Sequence, residues 1–165
     1  MKQFSYIPFV LAFLFACSTK KADSENNMAA FSMQEFVAII RDNNFMKFMT
    51  LANKPGYELD SSFREQNLIL YSAYDTTSDD GDDLSAHTTK DRYINFLSFS
   101  TSDKKLYQKL EKQVSEMGFK RLDDHPFVKE FTLDKVHLTI IIEDDKKPPF
   151  YTFALVRDER KNLLK

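Results

Sequence analysis

Residues 127–143 read FVKEFTLDKVHLTIIIE, and this stretch decides the fold. Phe127, Phe131 and Leu133 alternate with Val128, Glu130 and Thr132. Val136, Leu138, Ile140 and Ile142 alternate with His137, Thr139 and Ile141. A period of two is the signature of a strand with one buried face. Only Asp134 and Lys135 separate the two runs. A link that short joins antiparallel strands, so the stretch predicts a β-hairpin.

Working outward, Phe150 to Val156 continues the strand pattern, and Phe119 to Leu122 precedes it as a shorter strand. Before that lies a helix. Ser102 and Asp103 are helix starters. Leu106, Tyr107, Leu110, Val114 and Met117 then form one apolar stripe, and Gly118 stops the run as a left-handed cap does. The N-terminal half repeats the grammar. Ser32-Met33-Gln34-Glu35 matches a capping box, with Phe36, Val37, Ile39 and Ile40 at helical spacing behind it. Asn43-Asn44 breaks that helix, and Phe45 to Asn53 makes a second one that stops at Lys54-Pro55-Gly56. Strands are expected at Tyr57 to Asp60, at Asn67 to Tyr74 (Leu68, Leu70 and Tyr74 on one face) and at Arg92 to Thr101. In the last of these, Tyr93, Leu97 and Phe99 share a face opposite Ile94 and Phe96.

The order helix-helix-strands-helix-strands predicts an α+β domain, a mainly antiparallel sheet with helices packed on one face. A helix runs into Gly56-Tyr57 and another into Gly118-Phe119, which hints at an imperfect tandem duplication. The following Leu59-Asp60 and Leu122-Asp123 are out of step by one residue. The bland alternative is that helix–glycine–aromatic–strand is a common junction.

The N-terminus carries a different message. Met1-Lys2-Gln3 is a short basic start, and Phe4 to Ala16 is a 13-residue apolar run. A membrane-spanning helix needs about 20 such residues, whereas thirteen suit the apolar region of a secretory signal. Leu14-Phe15-Ala16-Cys17 resembles the lipobox of bacterial lipoprotein signals: an aliphatic residue, two intervening positions ending in a small residue, then cysteine. The resemblance covers residues 1 to about 20. It implies cleavage before Cys17, with Leu14 and Ala16 as the cleavage signal, and attachment of diacylglycerol and an acyl chain to Cys17. More than one chain makes a stable anchor. Ser18 after the cysteine favours the outer over the inner membrane in lipoproteins of enterobacterial type. The expected plan is a signal peptide (1–16), a lipid anchor and flexible tether (17–31), one α+β domain (32–157) and a charged tail (158–165).

Cys17 is the one cysteine of the chain, so an internal disulfide is ruled out and the core must stand on packing. The 16 phenylalanines and 7 tyrosines supply the bulk for it. A net charge of −2 argues against nucleic acid, whose binding shows as a basic patch.

The search for chemistry starts in DTTSDDGDD, residues 75–83, read as part of a long connection from Asp75 to Asp91. Asp75, Asp79, Asp80, Asp82 and Asp83 can supply oxygen ligands to calcium or meet a basic partner. An EF-hand register set on Gly81 fails, because it puts Thr76 first and His87 twelfth, where carboxylates are required. The plainer reading is a solvated loop. His87, His125 and His137 stand at no metal-ligand spacing. No nucleophile elbow and no glycine-rich phosphate loop occurs, so a non-enzymatic role without cofactor is expected. If Phe96, Phe99, Phe127, Phe131, Phe150 and Phe153 exceed what one sheet face can bury, a second apolar face is open to a partner or an apolar ligand; the plainer reading is that helices cover one face and the remaining aromatics are scattered. The functional expectation is a lipid-anchored envelope protein with a binding or assembly role and a protein partner in the envelope. Two alternatives stand beside it: an immunity-type inhibitor meeting a toxin through acidic loops, and a calcium-binding or hydrolytic envelope protein.

Overall fold

The structure is a computed structural model and describes residues 31–60, 64–65, 68–76, 81–89 and 91–158. The elements run α1 (Met33–Asp42), α2 (Phe45–Ala52), β1 (Tyr57–Asp60), β2 (Arg64–Glu65), β3 (Leu68–Asp75), β4 (Asp83–Thr89) and β5 (Ile94–Thr101). Then come α3 (Lys104–Glu116), β6 (Lys120–Asp124), β7 (Val128–Leu133), β8 (Val136–Glu143) and β9 (Phe150–Arg157). All strands join one antiparallel sheet in the order β1-β3-β4-β5-β9-β8-β7-β6, with β2 pairing to β3. The α+β reading holds.

That strand order is a palindrome of two meanders. The unit α2-β1-β3-β4-β5 is followed by α3-β6-β7-β8-β9, and the two meet where β5 pairs antiparallel with β9. Both junctions turn on a left-handed glycine, Gly56 at φ 92° and Gly118 at φ 79°. The one-residue slip between Leu59-Asp60 and Leu122-Asp123 has a structural counterpart. Arg121 pairs with Phe131 and Asp123 with Glu130, so Leu122 is an extra residue in a β-bulge.

Local signals explain the helices. The Ser32 hydroxyl accepts from the Glu35 N–H at 3.3 Å and donates to the Glu35 carboxylate at 2.9 Å. Asn43 ends α1 in the left-handed region (φ 51°), and Asn44 caps α2 through Lys47 N–H. The Asn43 side chain also accepts from Ile94 N–H at 2.7 Å, tying the helix break to the start of β5. Asp103 caps α3 through the N–H groups of Lys105 and Leu106.

The helices cover one face of the sheet. Leu84, Ala86, Leu97, Phe99, Leu138, Ile140, Phe153 and Leu155 point at them and are fully buried or nearly so. α1, buried through Met33, Phe36, Val37, Ile39 and Ile40, lies over β5, β9 and β8 and so bridges the two meanders.

Three expectations need correction. The connection from Asp75 to Asp91 contains β4, an interior strand. Its buried side is Leu84, Ala86 and Thr88, too small to register as an apolar alternation. In β5, Ile94 joins Leu97 and Phe99 on the buried face instead of opposing them. Thr88 pairs with Ile94 and His87 with Phe96, leaving Asn95 as a bulge that flips the parity. Phe31, assigned to the tether, is 1% exposed and packs against Phe36, Tyr57 and Phe99, with ring centroids 4.8–5.9 Å apart. The folded domain therefore includes Phe31.

Candidate functional site

The sheet face away from the helices has no helix over it among the described residues. Strand register places its side chains. One row runs Leu70, His87, Phe96, Val156, His137 and Thr132 across six strands. The next runs Ser72, Ser85, Ser98, Ala154, Thr139 and Glu130. A third runs Tyr74, Asp83, Ser100, Thr152, Ile141 and Val128. A hydroxyl ladder runs through the second row and the centre of the third. Ser85 and Ser98 oxygens are 2.7 Å apart, and those of Ser100 and Thr152 are 2.9 Å apart. Apolar groups lie on both sides of it, with Tyr74, Ile141 and Val156 all more than a third exposed.

The six phenylalanines divide between the faces. Phe99, Phe131 and Phe153 are core. Phe96 and Phe150 belong to the uncovered side by register, and Phe127 is an exposed residue just ahead of β7. Phe96 packs on the His87 ring (4.9 Å) and, with His87, Tyr93, Asn95, Val156 and Arg157, lines a shallow cavity of about 360 Å³. His87 thus lies in β4, not in an acidic loop. His137 is on the same row three strand spacings away, roughly 14 Å, and its Nε2 lies 3.3 Å from Asp158. His125 sits in the turn before Phe127.

Charge on this face is lopsided. By register Glu58, Asp60, Asp83, Asp123, Glu130 and Glu143 stand on it, against Lys120 on the strands, Lys146 paired with Glu143 at 2.9 Å, and Arg157 at the cavity. Of the acidic segment, Asp75, Asp82 and Asp83 come together at its root, where Asp75 N–H donates to the Asp82 carbonyl at 2.9 Å. Asp79 and Asp80 lie outside the described residues, as do Leu14, Ala16 and Cys17. The Asp82 carboxylate accepts from the Tyr57 hydroxyl at 3.2 Å. Burial raises the Asp82 pKa, and bonds from Thr101 and Tyr57 offset only part of that. Burial, then the Asp82 charge, raises Tyr57. Asp82 is therefore engaged in holding the first glycine junction to β4. Asp83 Oδ1 is buried without a hydrogen-bond partner, and burial raises its pKa too. No group of three or more His, Cys, Asp or Glu side chains is placed to hold a metal ion among the described residues.

On the helix side, an open groove of about 520 Å³ runs between α3 and β6-β7. Phe119 and Phe131 floor it, and Gln108, Lys112, Arg121 and Lys129 border it. Lys129 reaches from β7 to Glu111 and to the Tyr107 hydroxyl (3.1 Å). Burial lowers its pKa, but the bonds to Glu111 and Tyr107 outweigh that and leave it raised. No described helix is long and apolar enough to cross a membrane.

The sequence reading set a second apolar face beside the plainer reading of scattered aromatics, and it missed the hydroxyl ladder. The signal was there in Asp83-Leu84-Ser85-Ala86-His87-Thr88, whose strict alternation uses small residues. No protein-family model, no curated protein and no solved structure matches the chain.

Proposed function

We propose that the protein is a lipid-anchored component of a bacterial cell envelope, held at the outer membrane through Cys17, and that its domain serves a non-enzymatic binding or assembly role. The anchor rests on Leu14-Phe15-Ala16-Cys17 and the short apolar run before it. The observation that carries the binding role is the uncovered sheet face, where exposed Tyr74, Ile141 and Val156 flank a ladder of paired hydroxyls. Small side chains let a partner approach the backbone closely, and the exposed apolar groups supply contact area.

The test is capture from crosslinked native cells. Full-length protein is the bait, with Cys17→Ser as the unanchored control and Ile141→Arg/Val156→Arg as the face control. One dominant partner, kept by the wild type and lost by the face variant, is the expected result. Equal capture by the face variant would remove this face from the binding role. Metabolic labelling with a fatty-acid analogue tests the anchor separately, and label on Cys17→Ser equal to wild type would reject it.

The immunity-type reading draws on one observation, the carboxylates gathered on the uncovered face and at the root of the acidic segment. It differs in its salt dependence. Asp75→Asn/Asp83→Asn weakens an acidic-face complex and reduces its salt sensitivity, but leaves an apolar-face complex intact.

A further inference from the structure

We propose that the lysine-bearing side of α3 rests against the anionic surface of the bilayer and turns the uncovered sheet face away from it. This deepens the anchored reading above and rests on it. Lys104, Lys105, Lys109 and Lys112 are all exposed on α3. Leu106, Tyr107, Leu110 and Val114 hold the opposite side of the same helix in the core.

The acids of this helix have partners of their own. Asp103 accepts from the first N–H groups of the helix, and Glu111 is bonded to Lys129. Glu116 faces Lys112 at 3.5 Å in a pair that is open to water, and such a pair contributes little. Apart from Glu116, which sits exposed beside Lys112, the helix keeps its negative charge at its start and toward β7, and its positive charge outside. The sheet face shows the reverse, six carboxylates against Lys120, the Lys146 that pairs with Glu143, and Arg157. An anionic surface attracts one side of this molecule and repels the other.

The chain's own path supplies the second argument. Met33 N–H donates to the Gln113 side chain at 2.7 Å, and Ser32 and Phe31 immediately precede it. The segment leading from Cys17 therefore joins the domain beside the C-terminal half of α3. The 13 residues from Ser18 to Ala30 can span at most about 45 Å, so the anchor keeps α3 within reach of the headgroups. Once the helix meets the headgroups its lysines are attracted over about a Debye length, and tethering makes even weak attraction count.

The experiment uses full-length acylated protein with vesicles of phosphatidylcholine alone or with about 30% phosphatidylglycerol. Sedimentation on the neutral vesicles reports the anchor. Amine acylation of bound protein, read residue by residue by mass spectrometry, reports the helix, with Lys120 on the opposite face as internal reference. The expected result is that the four α3 lysines become about threefold or more less reactive than Lys120 on the anionic vesicles, and that about 0.5 M salt abolishes the difference. Unchanged reactivity on anionic vesicles, with the protein firmly bound to both kinds, overturns the orientation while the anchor stands. Failure to sediment on neutral vesicles rejects the anchor. In that case, anionic-vesicle binding that falls about tenfold in Lys104→Gln/Lys105→Gln/Lys109→Gln/Lys112→Gln still supports the helix contact, and no binding to either vesicle overturns it. Lysine and glutamine have similar helix propensity, so the variant keeps the fold.

Discussion

The two meanders share a topology and differ in what fills the space under their helices. In the first, β3 turns Tyr71 and Ala73 toward α2, and the filling is aromatic. Phe45 and Phe48 meet Tyr71 at 5.3 and 6.1 Å, and Phe31 plugs the region beside Tyr57. In the second, β7 turns Phe131 and Lys129 toward α3. There the filling includes an ion pair, Lys129 with Glu111, and a stack of Tyr107 on Tyr151 at 4.3 Å. The first junction aromatic, Tyr57, is packed against Phe31. The second, Phe119, floors an open groove. Strand order is thus separable from core chemistry: pairing and left-handed turns preserve the one while the other drifts.

The largest test of that comparison is at the seam both halves share. Phe99 and Phe153 are fully buried and directly paired across β5 and β9. Either change to alanine should cost about 3–5 kcal/mol in urea unfolding. Because they share neighbours, the double variant should depart from additivity by at least about 0.5 kcal/mol. Two separate unfolding transitions, only one of them moved, would mean that the meanders are independent and that α1 does not bind them into one unit.

The next test asks whether the second half really depends on its ion pair. Side-chain exposures of 20% for Lys129 and 31% for Glu111 leave the pair only partly screened. Lys129→Met should cost about 1–2 kcal/mol by stranding Glu111, and adding Glu111→Leu should recover most of it. The pH dependence has a definite sign. Lys129 is raised above 10.5 in the native state, so its contribution is complete below that value and lost as pH climbs through the native one. Tyr107, raised chiefly by burial, acts in the same direction, because the unfolded chain ionises first. Lys129→Met should therefore flatten the alkaline loss of stability. Full alkaline sensitivity in that variant would assign the effect to the tyrosines, Tyr107 and the Tyr57 of the first half, both raised chiefly by burial.

Smaller effects are expected at the two turns. Gly56→Ala and Gly118→Ala each force an L-residue to positive φ, at about 1–2 kcal/mol. At Gly118 no atom lies within 4 Å of an added Cβ, so the cost there is backbone strain alone, and Gly118→Asn should restore part of it. A neutral Gly118→Ala would show that the second turn can relax, and would weaken its equivalence to the first.

Much of this was legible in the sequence because it is local. The Asp134-Lys135 hairpin, the Asn43-Asn44 break, the Asp103 cap and both glycine turns are set by residues within a few positions of one another. What was not legible is set by partners far along the chain. β4 is a strand because β3 and β5 flank it, and Ala86 and Thr88 are buried by what covers them rather than by their own hydrophobicity. The bulge at Asn95 reverses the parity of β5, and no periodicity within Ile94–Thr101 announces it. The acidic run misled for a related reason. Its composition suggested a loop, but Asp83 already belongs to the sheet and Asp82 already holds Tyr57. Cys17, Leu14 and Ala16 were read by resemblance to a processing signal, a kind of information that packing does not carry.

Asp83 gives the smallest effect and the one most specific to the first half. Its place on the uncovered face, between Tyr74 and Ser100, buries Oδ1 without a partner, and burial raises its pKa above 3.8. A carboxyl raised in the native state costs stability once ionised. Its contribution is complete below the unfolded pKa and is lost as pH rises through the native one, so at neutral pH the group opposes folding. Asp83→Asn removes the charge and keeps the shape. The residue remains partly open to water, so the gain at neutral pH should be at most about 1 kcal/mol, and it should vanish near pH 3, where both forms are neutral. A residue retained at a cost to folding is a candidate for contact with a partner. If Asp83→Asn stabilises the domain and also weakens capture of the partner, the cost is tied to binding. If it destabilises the domain at neutral pH, then Oδ1 has a structural counterpart in solution, and the acidic end of the uncovered face belongs to the fold.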